Sequence, residues 1–252
     1  MEIQLTERLT SGSAIHRNPT GWRLEIPAGA KGTYRLAQLD DYAHLARRAF
    51  CWRPPVKVGL RARVSAPDLP GTWGFGFWND PFGMSIGFGG NPRHLPALPE
   101  TAWFFHASPP NSLALNDALP ARGFFAGSIH SVIPGWIALA GLPALPLLAI
   151  RPLSRQLRRL ANRHIHQQAV SIAVDVTRWH EYTASWLHED CAFGLDGETI
   201  LQSPHPPSAP LGLVLWIDNQ YAGWTPQGVV RFGTLDNPAA WLEIADLQIS
   251  TG

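Results

Sequence analysis

A chain of 252 residues with 45% hydrophobic and 15% charged side chains is long enough for one large β domain or two small ones, and for a substantial core. A formal net charge of +1 excludes the broad basic face that neutralises phosphates, so no nucleic-acid partner is expected. Charged residues fall well below the globular average of about 25%, which leaves much of the surface uncharged or covered by a partner.

The opening MEIQLTERLT has no positive segment followed by an apolar one, so a secretory signal is not expected. No Asn-x-Ser/Thr acceptor with a permitted middle residue occurs, since Asn18 precedes Pro19. Both observations favour the cytoplasm. Cys51 and Cys191 pair only if the fold brings them together, and two cysteines do not make a disulfide framework.

Strand-like runs bounded by Gly, Pro, Asn and Asp follow one another at 22–26 (WRLEI), 33–39 (TYRLAQL), 56–65 (VKVGLRARVS), 71–78 (GTWGFGFW), 84–89 (MSIGFG) and 101–107 (TAWFFHA). The pattern resumes at 170–176 (VSIAVDV), 180–187 (HEYTASWL), 191–195 (CAFGL), 198–202 (ETILQ), 211–217 (LGLVLWI) and 240–249 (AWLEIADLQI). CAFGL-DG-ETILQ predicts a hairpin, because Asp196-Gly197 tolerates the positive φ angles of a two-residue type I′ turn. Many short strands, with 23 glycines and 23 prolines, predict a sandwich or jelly roll.

Between these flanks lies a segment that is not β-like. Residues 132–150, VIPGWIALAGLPALPLLAI, carry no charge, and five arginines with no acid follow between 151 and 163. On a helix over 153–165, Leu153, Leu157, Leu160 and Ala161 share one side, and Arg155, Arg158, Arg159 and Arg163 the other. The chain therefore reads as one β domain, 1–252, with an inserted helical excursion at 124–168.

The second half resembles the concanavalin A-like jelly rolls of laminarinase- and lichenase-type glycoside hydrolases. The resemblance rests on Trp179-His180-Glu181-Tyr182-Thr183-Ala184-Ser185-Trp186, then Phe193-Gly194-Leu195-Asp196-Gly197-Glu198, then Pro210-Leu211-Gly212-Leu213-Val214-Leu215-Trp216, and a closing strand around Trp241 and Ile249. It implies an all-β, concanavalin A-like β-sandwich. It also implies Glu-x-Asp-x-Glu on the strand after Gly71-Thr72-Trp73, since retaining hydrolysis needs two carboxylates about 5–5.5 Å apart. Here that strand reads Glu100-Thr101-Ala102-Trp103-Phe104-Phe105-His106, with one acid at its edge and aromatics in place of carboxylates. The family's hydrolysis is not expected to carry over.

Two strand ends place an aromatic, an acid and an amide together: Trp78, Asn79 and Asp80, and Trp216, Asp218, Asn219 and Tyr221. With Trp103 they suit a cleft that stacks a sugar or another flat apolar ligand on tryptophan and takes its hydroxyl protons on Asp or Asn. The competing reading makes Asp80 and Asp218 strand-stopping turn residues. A catalytic pair of Asp80 and Asp218 assisted by His106 is the enzymatic alternative. No metal site is expected: His164 and His166 point to different sides of a helix, and only the resemblance suggests a structural calcium near Asp246.

The apolar excursion approaches the length that spans a ~30 Å hydrocarbon core. Pro134, Pro143 and Pro146 interrupt it, however, and both its ends return to one sandwich, which excludes a single crossing. The expectation is monotopic attachment to an anionic membrane through Trp136, Leu139, Leu147, Leu148, Arg151, Arg155, Arg158, Arg159 and Arg163; the alternative is a packed lid or protein-docking arm. The functional expectation is non-hydrolytic binding of a glycan, glycolipid or other amphiphile at a membrane surface. A carbohydrate- or lipid-active enzyme and a structural subunit of a membrane complex are the competing readings.

Overall fold

The computed structural model describes residues 4–81, 94–95, 97–133, 142–208 and 210–252. The expected strand at 84–89 and the membrane candidates Trp136 and Leu139 lie outside the described residues. The strands in chain order are β1 (Thr6–Leu9), β2 (Ala14–Asn18), β3 (Gly21–Ile26), β4 (Leu36–Asp40), β5 (Val56–Val64), β6 (Thr72–Trp78), β7 (Thr101–Ala107), β8 (Gly123–Ser131), β9 (Ile165–Ser171), β10 (His180–Trp186), β11 (Cys191–Leu195), β12 (Glu198–Ser203), β13 (Gly212–Asp218), β14 (Gln220–Trp224), β15 (Val230–Thr234) and β16 (Ala240–Thr251). Helix α1 spans Arg151–His164 and follows a 3-10 stretch at Leu142–Ala149.

Two seven-stranded antiparallel sheets carry the fold. The first runs β1-β4-β13-β6-β7-β8-β9 and the second β12-β11-β10-β5-β16-β3-β2, while β14 and β15 form a separate hairpin. Period-two alternation decides what each strand buries. β5 sends Val56, Val58, Leu60, Ala62 and Val64 inward and leaves Lys57 and Arg61 exposed. β6 sends Trp73, Phe75 and Phe77 into the core between the sheets, where they join Phe104, Tyr182, Trp186 and Phe193.

A second hydrophobic cluster covers the opposite, outer face of the first sheet. It holds Leu36, Trp103, Phe105, Phe125, Val214 and Trp216 from the strands, sealed by Tyr42 and Phe50 from the 41–55 connection. Sequence periodicity does not show this second layer.

The hairpin at Asp196-Gly197 forms as expected, with φ of 49° and 85°. The excursion is narrower than 124–168, because 123–131 and 165–171 are paired strands of the first sheet. Of the described residues between them, 132–133 and 142–164 lie outside the sheet. Of the run 170–176, only 170 and 171 belong to β9; the strand is instead IHQQAVS, an edge strand whose polar residues hide its identity. Helix α1 carries Pro152 in its first turn, where a missing N–H costs nothing, and ends where Ile165 turns extended into β9. Cys51 is exposed and Cys191 buried, both as free thiols.

Candidate functional site

Small residues on β6 create the aromatic layer. Gly74 and Gly76 occupy outer-face positions, so Trp216 of β13 and Trp103 of β7 close over the strand between them. Trp78 and Trp216 stack nearly parallel, 6.2 Å apart, and Trp103 meets Trp216 at 5.7 Å and Phe105 at 4.7 Å. Each such pair contributes about 0.5–1.5 kcal/mol beyond its area.

Most residues expected to bind a ligand serve this layer or its turns. Trp216 donates its indole N–H to Thr72 Oγ1 at 3.0 Å. Asp218 is buried and accepts from the Thr72 N–H, the Thr72 hydroxyl, the Gln220 N–H and the Tyr34 hydroxyl. Burial pushes its carboxyl up to about 6, against the pull of those donors. Asn219 bonds the Arg35 N–H and the carbonyls of Thr33 and Leu235, and Asn79 the Leu98 carbonyl and the Glu100 N–H. Both amides are thus spent on backbone. Tyr221 lies on the separate β14–β15 hairpin, over Gly233.

The catalytic expectation fails on geometry. Asp218 stands opposite Thr72, at one end of β6, whereas Asp80 lies beyond Trp78 at the other end. Six residues of strand separate those ends by roughly 20 Å. Asp80 is fully buried, with its Oδ2 2.6 Å from His94 Nδ1, and His94 Nε2 donates to the Leu45 carbonyl at 2.7 Å. His106 faces the inter-sheet core, stacked on Trp73 at 5.2 Å and donating to the Leu69 carbonyl. Burial lowers it to about 4. On β7 the outer-face positions are Thr101, Trp103, Phe105 and Ala107; none is a carboxylate.

The outer face opens beyond this sealed region. A shallow cleft of about 40 Å³ has Trp103, Phe105 and Phe125 as its floor and Leu113, Leu119 and Pro120 as one wall. Ile129, Gln167 and Ala169 form the other side. Gln167 Oε1 accepts the N–H groups of Leu115 and Asn116, tying the 113–120 wall to edge strand β9. That volume is well below the range of about 300–1,000 Å³ typical of whole small-ligand sites. Of the expected binding residues, only Trp103 lines it. Phe125, Gly127 and Ile129 alternate in GFFAGSIHS and signal this floor once that run is read as a strand.

Helix α1 packs beside the cleft wall. Ser154 accepts the Trp224 indole N–H at 2.9 Å. Arg158, expected on the membrane face, is instead buried: it donates to the carbonyls of Trp224 and Ala114 and to Asp117 Oδ1 at 2.6 Å. Its direction follows from the helix phase, since 154 and 158 share the face turned to the hairpin. Arg151, Arg155, Arg159 and Arg163 stand outward, four residues apart, with Leu160, Ile150 and Leu147 also exposed and Leu148 half-buried.

Among the described residues no group of three or more His, Cys, Asp or Glu is arranged to hold a metal ion. Asp246, the calcium candidate, sits at a bulge of β16 and pairs with Arg61 at 3.3 Å. Among the described residues no helix is long and apolar enough to cross a membrane.

Two stacked antiparallel sheets in this order define a concanavalin A-like jelly roll, the fold of family 16 glycoside hydrolases and legume lectin-like domains. A legume lectin-like domain from Entamoeba histolytica superposes with a TM-score of 0.52 at 7% identity, covering 98% of this chain and 90% of that one. A family 16 endo-glucanase from Bacteroides ovatus gives 0.50 at 10% identity, covering 99% of this chain and 96% of that one. At such identities the likeness concerns the fold. No protein-family model matches the sequence, and no curated protein does.

Proposed function

We propose that the chain binds an amphiphile, an apolar group carrying a sugar, in the cleft beside Trp103 and Phe125, at an anionic membrane surface and without hydrolysing it. The observation that carries the reading is the cleft itself: its floor is aromatic and apolar, while Tyr42 and Phe50 pack into the same outer-face cluster farther along the sheet. The sugar end is favoured by the fold shared with a lectin-like domain and an endo-glucanase. The lack of hydrolysis is supported by aromatics at the outer-face positions of β7 and by the separation of Asp80 from Asp218.

Helix α1 supports the membrane surface. Like charges four apart on a helix each cost about 0.2–0.5 kcal/mol, and Arg151, Arg155, Arg159 and Arg163 repeat that spacing with no acidic partner among the described residues. Such a ladder disfavours the isolated helix and favours an anionic partner, each basic residue near a charged bilayer gaining about 1 kcal/mol. Leu147, Ile150 and Leu160 supply exposed apolar contacts beside it. Two free thiols fit the cytoplasmic side.

Calorimetric titration with octyl glucoside and with glucose tests the cleft. The alkyl glucoside is expected to bind and glucose not, with binding of the former lost in Ala169→Leu, which narrows the cleft. Equal binding by wild type and Ala169→Leu would place the ligand elsewhere. Vesicle flotation tests the surface: no flotation with anionic vesicles removes the membrane reading and leaves helix α1 as a protein-docking arm.

A further inference from the structure

The two roots of the excursion carry a cluster of histidines that the cleft and the arginine ladder leave unused. His130 on β8 and His166 on β9 stand opposite each other in register, two residues from where the chain leaves and re-enters the sheet. Their rings are 6.4 Å apart, and His205, after β12 in the other sheet, approaches His166 at 4.9 Å. One carboxylate is bonded into the group: Glu100, before β7, lies 3.3 Å from His130 Nδ1 and accepts the N–H groups of Ser131 and Ser208. His164, half-buried at the end of α1, and exposed Arg163 stand two and three residues before His166 in the chain. Three histidines and one carboxylate thus sit at the C-terminal end of the helix that bears the exposed arginines.

We infer that this cluster makes attachment to an anionic membrane acid-strengthened, so that the protein holds the bilayer more tightly as pH falls below about 6. The inference rests on the membrane-surface reading above. Histidine is the side chain whose charge ordinarily changes between about pH 5 and 8. Protonation adds positive charges beside the ladder, and a bilayer that binds the charged form better must in turn favour protonation. Burial, then the neighbouring His166 and His130, holds His205 below the ordinary histidine range, so its charging lies at the acid end. Burial holds Glu100 above the ordinary carboxylate range, so on acidification it discharges early and leaves the added charge uncompensated.

Each charge near an anionic surface multiplies partitioning by about fivefold, so two or more predict a rise of over about tenfold. The full chain and His166→Gln/His205→Gln are compared by flotation with phosphatidylcholine vesicles, with and without phosphatidylglycerol, at about pH 7.5 and about pH 5. The expected result is a more than tenfold rise in wild-type binding to the anionic vesicles alone, largely abolished in the variant, with binding at neutral pH unchanged. Thermal melts at both pH values check that the variant is folded. Anionic binding that is insensitive to pH, or an equal rise in the variant, overturns the acid response while the membrane reading stands. No binding to anionic vesicles at either pH overturns both.

Discussion

The indole of Trp216 lies over the backbone of Gly74, its Cη2 only 2.6 Å from where a Cβ on Gly74 would stand. The outer aromatic layer depends on that approach. Gly74→Ala forces the indole or the β6–β7 pairing to shift, a form of overpacking that costs about 1–3 kcal/mol. Chemical denaturation is expected to show that loss together with a changed tryptophan emission; unchanged stability would mean that the layer tolerates displacement.

Arg158 and Arg159 are neighbours with opposite duties. Arg158→Ala leaves the carbonyls of Trp224 and Ala114 without their donor and uncouples α1 from the hairpin, at a cost of about 2–4 kcal/mol. Arg159→Ala removes one exposed charge, leaves the melting temperature nearly unchanged and weakens vesicle binding by about fivefold. Equal melting losses in the two variants would contradict the assigned orientation of the helix.

The layout of the fold was written in alternation. GTWGFGFW already contained the division into an aromatic inner row and a glycine-bearing outer row, and Asp196-Gly197 fixed its hairpin. The site was harder to read, for three physical reasons. Tyr42 and Phe50 reach the outer face from a connection far away in sequence, so a strand that looked ligand-facing is covered. Polar edge strand β9 mimics the end of the helix before it. A helical wheel also weighs all arginines alike, whereas Arg158 is drawn inward by carbonyls at the end of β14 and on the 113–120 wall.

Asp218 gives a pH test. Its folded-state value, raised by burial to about 6, exceeds the unfolded value near 3.8, so the folded state holds the extra proton. The stability it contributes is complete below about pH 4 and disappears as pH rises through about 6. Asp218→Asn retains an acceptor for Thr72 and removes that dependence. The difference in unfolding free energy, variant minus wild type, is expected to grow between these pH values and then level off.

His106 carries the opposite sign. Its folded value, lowered by burial to about 4, lies below the ordinary 6.5, so its contribution is complete above about pH 6.5 and is lost as pH falls toward 4. His106→Phe keeps the stack on Trp73 and removes that loss. Unfolding titrations across the window are expected to show the variant gaining on the wild type by up to about 1.4 kcal/mol per pH unit. A constant difference would mean that His106 is not buried as described.

Whether an amphiphile is held between the Trp103–Phe125 floor and the 113–120 wall is decided by a crystal structure grown with octyl glucoside. Alkyl density is expected in that cleft, in contact with Phe105 and Leu119, with the sugar at its mouth. An empty cleft with the alkyl chain bound over Trp78 and Trp216, after displacement of Tyr42 and Phe50, would contradict that placement.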